Sequence, residues 1–325
     1  MPTFTTAAVN SFFAGRGDSK TVLLINAASV VVNAPLAFAW IYGQWGFPKW
    51  GIEGAGWATV VATSASALLA FGLMLRRRHR EKYGTASGWR WDGHLLARLL
   101  RFGAPNGFLV AMDTLVFTLF CIVVGRLGEV ELAASSITLT LNLVAFLPIM
   151  GIGQAVGVLV GQRQGERRPD LAARSTWTGF WVALIGMGVI ALAYLVIPDE
   201  LAWIFQSEAD PTTWQQVRVL VPVLLRFVAI YALFDGTNLV FSFALRGAGD
   251  TLFVTLASMV VAWSVMVIPT WVAWRYQWGL NWAWTFATSY VIVLSHTVVL
   301  RFVHGKWRSM RVIETPVGEL GLQTG

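Results

Sequence analysis

Charged side chains are scarce in this sequence. Asp, Glu, Lys and Arg together make up 13% of its 325 residues, about half the share that is typical of soluble domains. Hydrophobic residues account for 56% and form runs that are long enough to cross a bilayer as helices. This composition excludes an ordinary soluble domain and predicts an all-α integral membrane protein, because a helix satisfies its own backbone hydrogen bonds in lipid.

Residues that build metal centres and catalytic sites are also few. Cys121 is the one cysteine in the sequence, and it lies inside an apolar run, so one chain cannot form a disulfide or a thiolate metal site. There is no nucleophile-base constellation, no cluster of histidines and cysteines and no nucleotide-binding motif. We therefore expect no enzyme activity, no cofactor and no bound nucleotide.

Eight apolar runs are long enough to be transmembrane helices. The predicted spans are approximately Thr21–Tyr42, Gly54–Leu75, Gly103–Gly125, Leu132–Val160, Ser175–Ile197, Val217–Leu245, Leu252–Trp274 and Asn281–Phe302. In the fourth span, Gly151, Gly153 and Gly157 follow no strand, so they predict close helix packing rather than a phosphate loop.

The net charge of +7 would suit a nucleic-acid partner, but its distribution does not. Basic residues concentrate in alternate loops, such as Arg76 to Arg101 and Arg163 to Arg174. Alternation of this kind follows the positive-inside rule. It predicts a multi-pass protein of the plasma (inner) membrane, surrounded by lipids, with both termini in the cytoplasm and no nucleic acid bound.

Two isolated aspartates stand in the middle of apolar runs. Asp113 is ten residues past Gly103, and Asp235 is eleven residues before Arg246. At about 1.5 Å per residue, both carboxylates should lie roughly 15 Å deep, near the midplane of the membrane. Charges there are costly and usually functional, so the pair indicates ion handling. The alternative is that each aspartate only hydrogen-bonds to neighbouring helices.

Polar side chains accompany both aspartates. On the helix of Asp235 the same face carries Tyr231, Asn238 and Ser242, and on the helix of Asp113 the residue seven positions earlier is Asn106. These groups supply the oxygen ligands that hard cations prefer, and the two carboxylates could share one cation or one proton. Asn142 in the fourth span is a further candidate for the cavity lining. Asn142 and Asn238 could equally hold helices together.

An internal repeat relates two parts of the sequence. Gly15-Arg16-Gly17-Asp18-Ser19 precedes the first span, and Gly247-Ala248-Gly249-Asp250-Thr251 precedes the seventh, 232 residues later. Duplicated halves are common in secondary transporters. Spans three to eight would form one half of six helices, and spans one and two only the end of the other. On this reading we expect roughly 130 further residues, or about four helices, before Met1.

The residues also resemble a known family. Arg246-Gly247-Ala248-Gly249-Asp250-Thr251 is similar to the cytoplasmic signature of multidrug and toxic compound extrusion (MATE) transporters. Further agreement comes from Phe102-Gly103-Ala104-Pro105, from Leu127-Gly128 followed by Leu132-Ala133-Ala134, and from Gly153-Gln154-Ala155 through Gly161-Gln162 to Gly165. The first-half segments Gly15 to Lys20 and Gly51-Ile52-Glu53-Gly54-Ala55 resemble it too.

This resemblance implies twelve helices in two lobes and the export of cationic, amphipathic drugs in exchange for Na⁺ or H⁺, a drug-resistance function. In NorM-type members, an acidic residue and an aspartate on the first and fourth helices of the second lobe bind the cation. Asp113 and Asp235 match these positions, and would hold Na⁺ in a sodium-coupled protein. Tyr231 matches a tyrosine one turn before the second acid. At position 113 this sequence has aspartate, where NorM-type members usually have glutamate.

The resemblance and the repeat together predict the organisation of the chain. Residues 1–75 would be the end of the amino-terminal lobe, 76–101 a basic cytoplasmic linker, 102–304 the complete carboxy-terminal lobe and 305–325 a cytoplasmic tail. Two alternatives remain open at this point. One is a flippase of lipid-linked saccharides from the same superfamily, and the other is a truncated membrane protein without transport activity.

Overall fold

The computed structural model describes residues 2–83, 85, 92–206 and 211–310. Parts of the predicted linker (84 and 86–91) and of the predicted tail (311–325) lie outside the described residues. The α-helices are α1 (Pro2–Gly15), α2 (Ser19–Tyr42), α3 (Ile52–Met74), α4 (Arg77–Tyr83), α5 (Gly93–Gly125), α6 (Glu129–Gly165), α7 (Pro169–Val196), α8 (Pro198–Trp203), α9 (Pro211–Gly247), α10 (Thr251–Val261), α11 (Ile268–Arg275) and α12 (Leu280–His304). The described ranges contain no strand, which confirms the all-α class.

Among the described residues, eight helical segments are long and apolar enough to cross a membrane, as predicted. They are α2, α3, α5, α6, α7, the Trp214–Gly247 part of α9, the continuous segment Thr251–Arg275 and α12. Several extend beyond the predicted bounds; α6, for example, begins at Glu129 and ends at Gly165. Such extensions are polar helix ends that a search for apolar runs does not detect.

The chain divides into two compact units, Met1–His94 and Leu95–Gly325. The division falls inside the predicted linker 76–101. In the first unit, α1, α2 and α3 pack around a small core of Val9, Phe13, Ile25, Ala70 and Leu73.

Polar contacts fix the start and middle of α2 in the first unit. The Asp18 carboxylate caps α2 by accepting from the Thr21 hydroxyl at 2.8 Å and from the Thr21 amide at 3.2 Å. These two donors lower the pKa of Asp18. The buried hydroxyl of Ser66 on α3 donates to the Ile25 carbonyl at 2.9 Å.

Helix α9 is the centre of the second unit. It packs against α6, α7, α8, α10 and α12, and many of its apolar side chains are completely buried, including Val221, Leu224, Phe241 and Leu245. Such a helix is apolar on most of its circumference. Asp235 lies half-buried on this helix, so its carboxylate is carried by the element that makes most of the packing contacts of the unit.

Small residues allow α6 to approach α9 closely. A Cβ atom at Gly157 would lie 2.9 Å from the Phe243 carbonyl oxygen, and one at Gly153 would lie 2.7 Å from the Phe243 ring. The prediction of close packing is confirmed for these two glycines. It was wrong for Gly151, whose Cβ would meet nothing within 4 Å.

The seventh span changes its helical geometry near Pro269. Residues Ala262–Val267 form a π-helical turn, in which the Ile268 amide donates to the carbonyl of Trp263, five residues earlier. Pro269 has no N–H, and its ring crowds the carbonyl four residues before it. The wider turn relieves that crowding.

A buried ion pair joins the start of α10 to the end of α12. Arg301 donates from Nε to Asp250 at 2.7 Å and from Nη2 at 3.3 Å, and its guanidinium lies 4.3 Å from the centre of the Phe253 ring. Nearby, the Gln164 amide reaches the carbonyl oxygens of Trp307, Arg308 and Met310 within 3.1 Å. Hydrogen bonds therefore connect α10 to α12, and α6 to residues 307–310, at this end of the second unit.

The backbone conformation carries the repeat that the sequence suggested. Helices α2 and α10 begin at Ser19 and Thr251, 232 positions apart. Left-handed conformations recur at the same spacing, with φ of 76° and 99° at Gly17 and Gly249 and φ of 57° and 56° at Trp45 and Gln277. Glycine is favoured in this region because it has no Cβ.

Candidate cation site

Asp113 and Asp235 lie within the spanning parts of α5 and α9. Asp113 is exposed at the surface of its unit, whereas Asp235 is half-buried. Neither carboxylate accepts a hydrogen bond or forms an ion pair in the part of the chain that the structure describes, where the ion pairs are Arg77–Glu81, Arg163–Glu166 and Arg301–Asp250. The alternative in which each aspartate bonds to a neighbouring helix finds no partner within these ranges.

A tyrosine on α12 lies near both acids. Tyr290 is within electrostatic range of Asp113 and of Asp235, and it packs at the junction of the two apolar cores of this unit. Sequence reasoning missed this residue. A tyrosine in the middle of the last apolar span, where its hydroxyl needs a polar partner, was the available signal.

Tyr231 lies one turn before Asp235 on α9 and is buried, at 6% exposure. It is within electrostatic range of Asp235 and of Tyr194 on α7. The hydroxyl of Tyr194 donates to the Leu141 carbonyl at 3.0 Å. The predicted proximity of Tyr231 to Asp235 is thus present, with a second tyrosine behind it.

The predicted polar stripe on α9 continues towards Arg246. The Ser242 hydroxyl donates to the Asn238 amide oxygen at 3.1 Å, and Arg246 Nε donates to the Ser242 carbonyl at 3.2 Å. Arg246 Nη1 donates to the Asn106 amide oxygen on α5 at 3.1 Å. Arg246 is also within electrostatic range of Asp113, so Asn106 links to the acid region through an arginine.

Asn142 stands apart from this network. It lies half-buried on α6, and its amide oxygen is buried without a hydrogen-bond partner in the described part of the chain. No hydrogen bond in that part joins Asn142 to Asp113 or Asp235. The cavity-lining role of Asn142 stays a prediction.

An apolar cavity lies further along α5 from Asp113. Its volume is about 440 Å³, and it begins at Leu119, six residues or roughly 9 Å beyond Asp113. The lining residues are Leu119, Phe120, Val123, Trp263, Met266, Val267, Ile268, Thr270 and Trp271. The Trp263 indole nitrogen and the Thr270 hydroxyl find no hydrogen-bond partner among the described residues. The apolar lining suits the apolar body of a small molecule.

Carboxylate, hydroxyl and amide oxygens lie on these faces of α5 and α9, together with the Arg246 guanidinium. Among the described residues, neither carboxylate has an ion-pair partner, and such groups attract positive charge strongly in a low-dielectric region. Oxygen ligands suit hard cations, and a proton or an organic cation can neutralise the same carboxylates. The arrangement is therefore suited to exchange one positive species for another.

Comparison with known proteins decides the family. Residues 105–272, more than half of the chain, match the family model MatE. The chain belongs to the MatE family. The match includes both aspartates and Arg246. Together with the eight apolar helices, it makes the chain a multi-pass membrane protein.

Curated MatE relatives support the assignment. A "Probable multidrug resistance protein NorM" of Xanthomonas axonopodis pv. citri (strain 306) is 30% identical over 86% of this chain and 60% of the relative. A protein with the same description from Mesorhizobium japonicum is 28% identical over 82% of this chain and 57% of the relative. The chain thus spans about 60% of the length of these curated relatives.

Solved MATE structures share the fold. One described as "Crystal structure of MATE in the bent conformation" has a TM-score of 0.79 at 17% identity, covering 94% of this chain and 65% of that one. An "Outward-facing conformation of a multidrug resistance MATE family transporter of the MOP superfamily" has a TM-score of 0.78 at 18% identity, covering 95% and 67%. At these identities, the likeness concerns the fold alone.

Proposed function

We propose that this MatE chain acts in a secondary antiporter that exports organic cationic or amphipathic compounds in exchange for Na⁺ or H⁺. Asp113 and Asp235 are the coupling carboxylates, and Tyr231 assists them. The observation that carries the proposal is a pair of carboxylates in membrane-spanning helices that lack partners in the described ranges. Such groups are costly in a membrane and are kept mainly for function. The multidrug resistance description of the curated relatives supports the same substrate class.

The coupling rests on competition for negative charge. When Na⁺ or a proton binds at Asp113 and Asp235, the negative charge of the site falls by one, so an organic cation is held less strongly and is released. Loss of the small ion restores the attraction. A ligand shifts a conformational equilibrium only by its different affinities for the two states, and neutralised and charged acids differ strongly in the cost of burial. The ion gradient supplies the energy.

Two parts of the substrate bind at two places, the acids and the apolar cavity. Its positive group is held by the two carboxylates, with Tyr290 beside them, and its apolar body occupies the cavity bounded by Phe120 and Trp271. A largely apolar pocket with few polar groups is typical of small-molecule sites.

We further propose that the protein lies in the plasma (inner) membrane with its basic helix ends in the cytoplasm. Arg163, Arg246 and Arg301 lie at the ends of α6, α9 and α12, which meet at one face of the unit. By the positive-inside rule, these basic ends support the proposal that both termini are cytoplasmic. Reporter fusions that are active only inside or only outside the cell, attached to each terminus, test this orientation.

A flippase of lipid-linked saccharides is the second candidate. Arg246, which donates to Asn106 near Asp113, is the observation that favours it, because a guanidinium binds phosphate well. A solved structure described as "Reverse polarity of binding pocket suggests different function of a MOP superfamily transporter" from Pyrococcus furiosus has a TM-score of 0.80 at 17% identity, covering 94% of this chain and 67% of that one. The two unpaired acids favour a cationic substrate over a phosphate.

Ethidium efflux tests the antiport proposal. The full chain is reconstituted in vesicles, and efflux is followed under an imposed sodium or proton gradient. We expect efflux that depends on one gradient and is lost in Asp113→Asn and in Asp235→Asn. Unchanged efflux in both variants, or efflux without a gradient, would contradict the assignment. Absence of efflux from well-inserted protein would support the candidate without transport activity.

Asp199→Asn is the matched control. It makes the same chemical change at an exposed position on the short helix α8, which is not part of a spanning segment. We expect parental efflux from this variant. Equal loss in Asp199→Asn and Asp113→Asn would show that the assay reports net charge rather than the proposed site.

A further inference from the structure

A groove runs between α6 and α7 on the surface of the second unit. Its volume is about 440 Å³. Helix α6 contributes Ile152, Ala155, Val156, Leu159 and Arg163, and α7 contributes Leu171, Arg174, Ser175, Thr178, Gly179 and Val182. On each helix these residues recur at intervals of one, three or four, so each set is a single helical face.

The groove is apolar along its length and basic at one end. Ile152 to Arg163 spans eleven residues of α6, or roughly 16 Å, which is about half the thickness of a hydrocarbon layer. The antiparallel helix α7 brings Arg174 to the same end as Arg163. The groove is therefore about as long as one leaflet is thick, and it ends at two guanidinium groups.

Close contact between the helices forms the floor of the groove. A Cβ at Gly179 would collide with the Val156 side chain, so the glycine allows α7 to lie directly against α6. The hydroxyls of Ser175 and Thr178 are turned back onto the Leu171 and Arg174 carbonyls, at 2.9 and 3.0 Å. With these hydroxyls satisfied within their own helix, the walls present apolar surface.

The basic end has spare capacity for an anion. Arg163 donates from Nη1 to Glu166 at 2.8 Å, with 37% of its side chain exposed. A guanidinium has five N–H donors, so this pairing leaves others available. Arg174 is exposed and joins none of the ion pairs in the described ranges. The first turn of α7 begins at Pro169 and adds the positive end of a helix dipole.

We propose that this groove binds an anionic phospholipid, with one acyl chain between α6 and α7 and the phosphate on Arg163 and Arg174. The acyl chain meets the apolar walls of the groove, and the phosphate meets its basic end. The apolar walls extend from the basic end over about the thickness of one leaflet. Basic pockets between spanning helices recognise anionic head groups. A protein partner would need a broader surface than this narrow groove. An organic cation would be repelled by the two arginines.

The test uses the purified full chain, stripped of lipid and titrated with phosphatidylglycerol or phosphatidylcholine, with bound lipids counted by native mass spectrometry. We expect one phosphatidylglycerol to be retained in preference to phosphatidylcholine. In Arg163→Gln/Arg174→Gln that preference should fall roughly tenfold, as expected for two basic groups beside an anionic lipid. Equal retention of both lipids by the parent, or an unchanged preference in the double variant, would overturn the proposal.

Arg167→Gln/Arg168→Gln is the control for charge. It removes the same charge from the adjoining loop at two exposed residues that do not line the groove. We expect it to keep the preference for phosphatidylglycerol. An equal loss in the control would show diffuse attraction to the basic loop instead of a defined site.

A second pair of variants tests the apolar part. Thr178→Phe fills the groove without changing charge, whereas Val189→Phe places the same ring on an exposed part of α7 outside it. We expect retention of phosphatidylglycerol to fall in Thr178→Phe and to persist in Val189→Phe. If both variants retain the lipid like the parent, the acyl chain does not lie in the groove.

Discussion

Arg246 at the end of α9 donates from Nη1 to the amide oxygen of Asn106 on α5, at 3.1 Å. The same guanidinium lies 4.3 Å from the centre of the Phe243 ring and within electrostatic range of Asp113. A fixed positive charge thus stands near one of the two proposed coupling acids. It weakens the attraction of that acid for any other cation.

Replacing this charge should tighten cation binding. The positive charge of Arg246 repels a cation that binds at Asp113, and Arg246→Gln removes this charge. We therefore expect ethidium to bind roughly three- to tenfold more tightly. Fluorescence titration of the purified chain measures the affinity. Arg246→Lys keeps the charge and should bind like the parent. Weaker binding in Arg246→Gln would mean that the arginine supports the site instead of opposing the cation.

The Asp250–Arg301 pair should contribute strongly to stability. Asp250 is 6% exposed and Arg301 18%, so removing one partner leaves a charge that is largely cut off from water. We expect Asp250→Asn to lower the free energy of unfolding by about 3 kcal/mol, measured by denaturation in detergent. Glu81→Gln, which breaks the exposed Arg77–Glu81 pair, should cost less than about 1 kcal/mol. Equal effects would contradict the structural role of the buried pair.

The contact of α6 with α9 should depend on glycine at one position and not at another. Gly157→Ala forces a Cβ against the Phe243 backbone and should destabilise the protein by about 1–3 kcal/mol. Gly151→Ala on the same helix meets open space and should be neutral within about 1 kcal/mol. Thermal unfolding of the two variants checks this ordering, and a greater loss in Gly151→Ala would refute the described packing.

Tyr290 should influence cation binding through its hydroxyl. Tyr290→Phe keeps the ring in its apolar surroundings but removes a polar group near both acids, and we expect ethidium affinity to fall roughly tenfold. Tyr276→Phe makes the same change at an exposed site and should have no effect. If the two variants bind ethidium equally well, Tyr290 has no part in the site.

The sequence predicted the parts of this fold that depend on local composition. Runs of about 20 apolar residues identify spanning helices without any knowledge of their neighbours. Isolated carboxylates such as Asp113 and Asp235 stand out against that background for the same reason. The helix starts at Ser19 and Thr251 were likewise visible as repeated motifs.

Contacts between helices could not be predicted in this way. Tyr290 is far from both aspartates in sequence, and Arg246 was recognised as part of a motif but not as a donor to Asn106. Gly151 and Gly157 look alike in sequence, yet only one of them faces α9. Each case depends on how helices are rotated about their axes, which apolar runs leave undetermined because most of their faces are apolar.

Ethidium binding to the purified chain tests the central claim most directly. We predict saturable binding that is suppressed either by added Na⁺ or by lowered pH, is lost in Asp113→Asn and in Asp235→Asn, and persists in Asp199→Asn. Loss in the two spanning-helix variants alone would identify their carboxylates as the place where the ion and the organic cation compete. Parental binding in both Asp113→Asn and Asp235→Asn would contradict the claim.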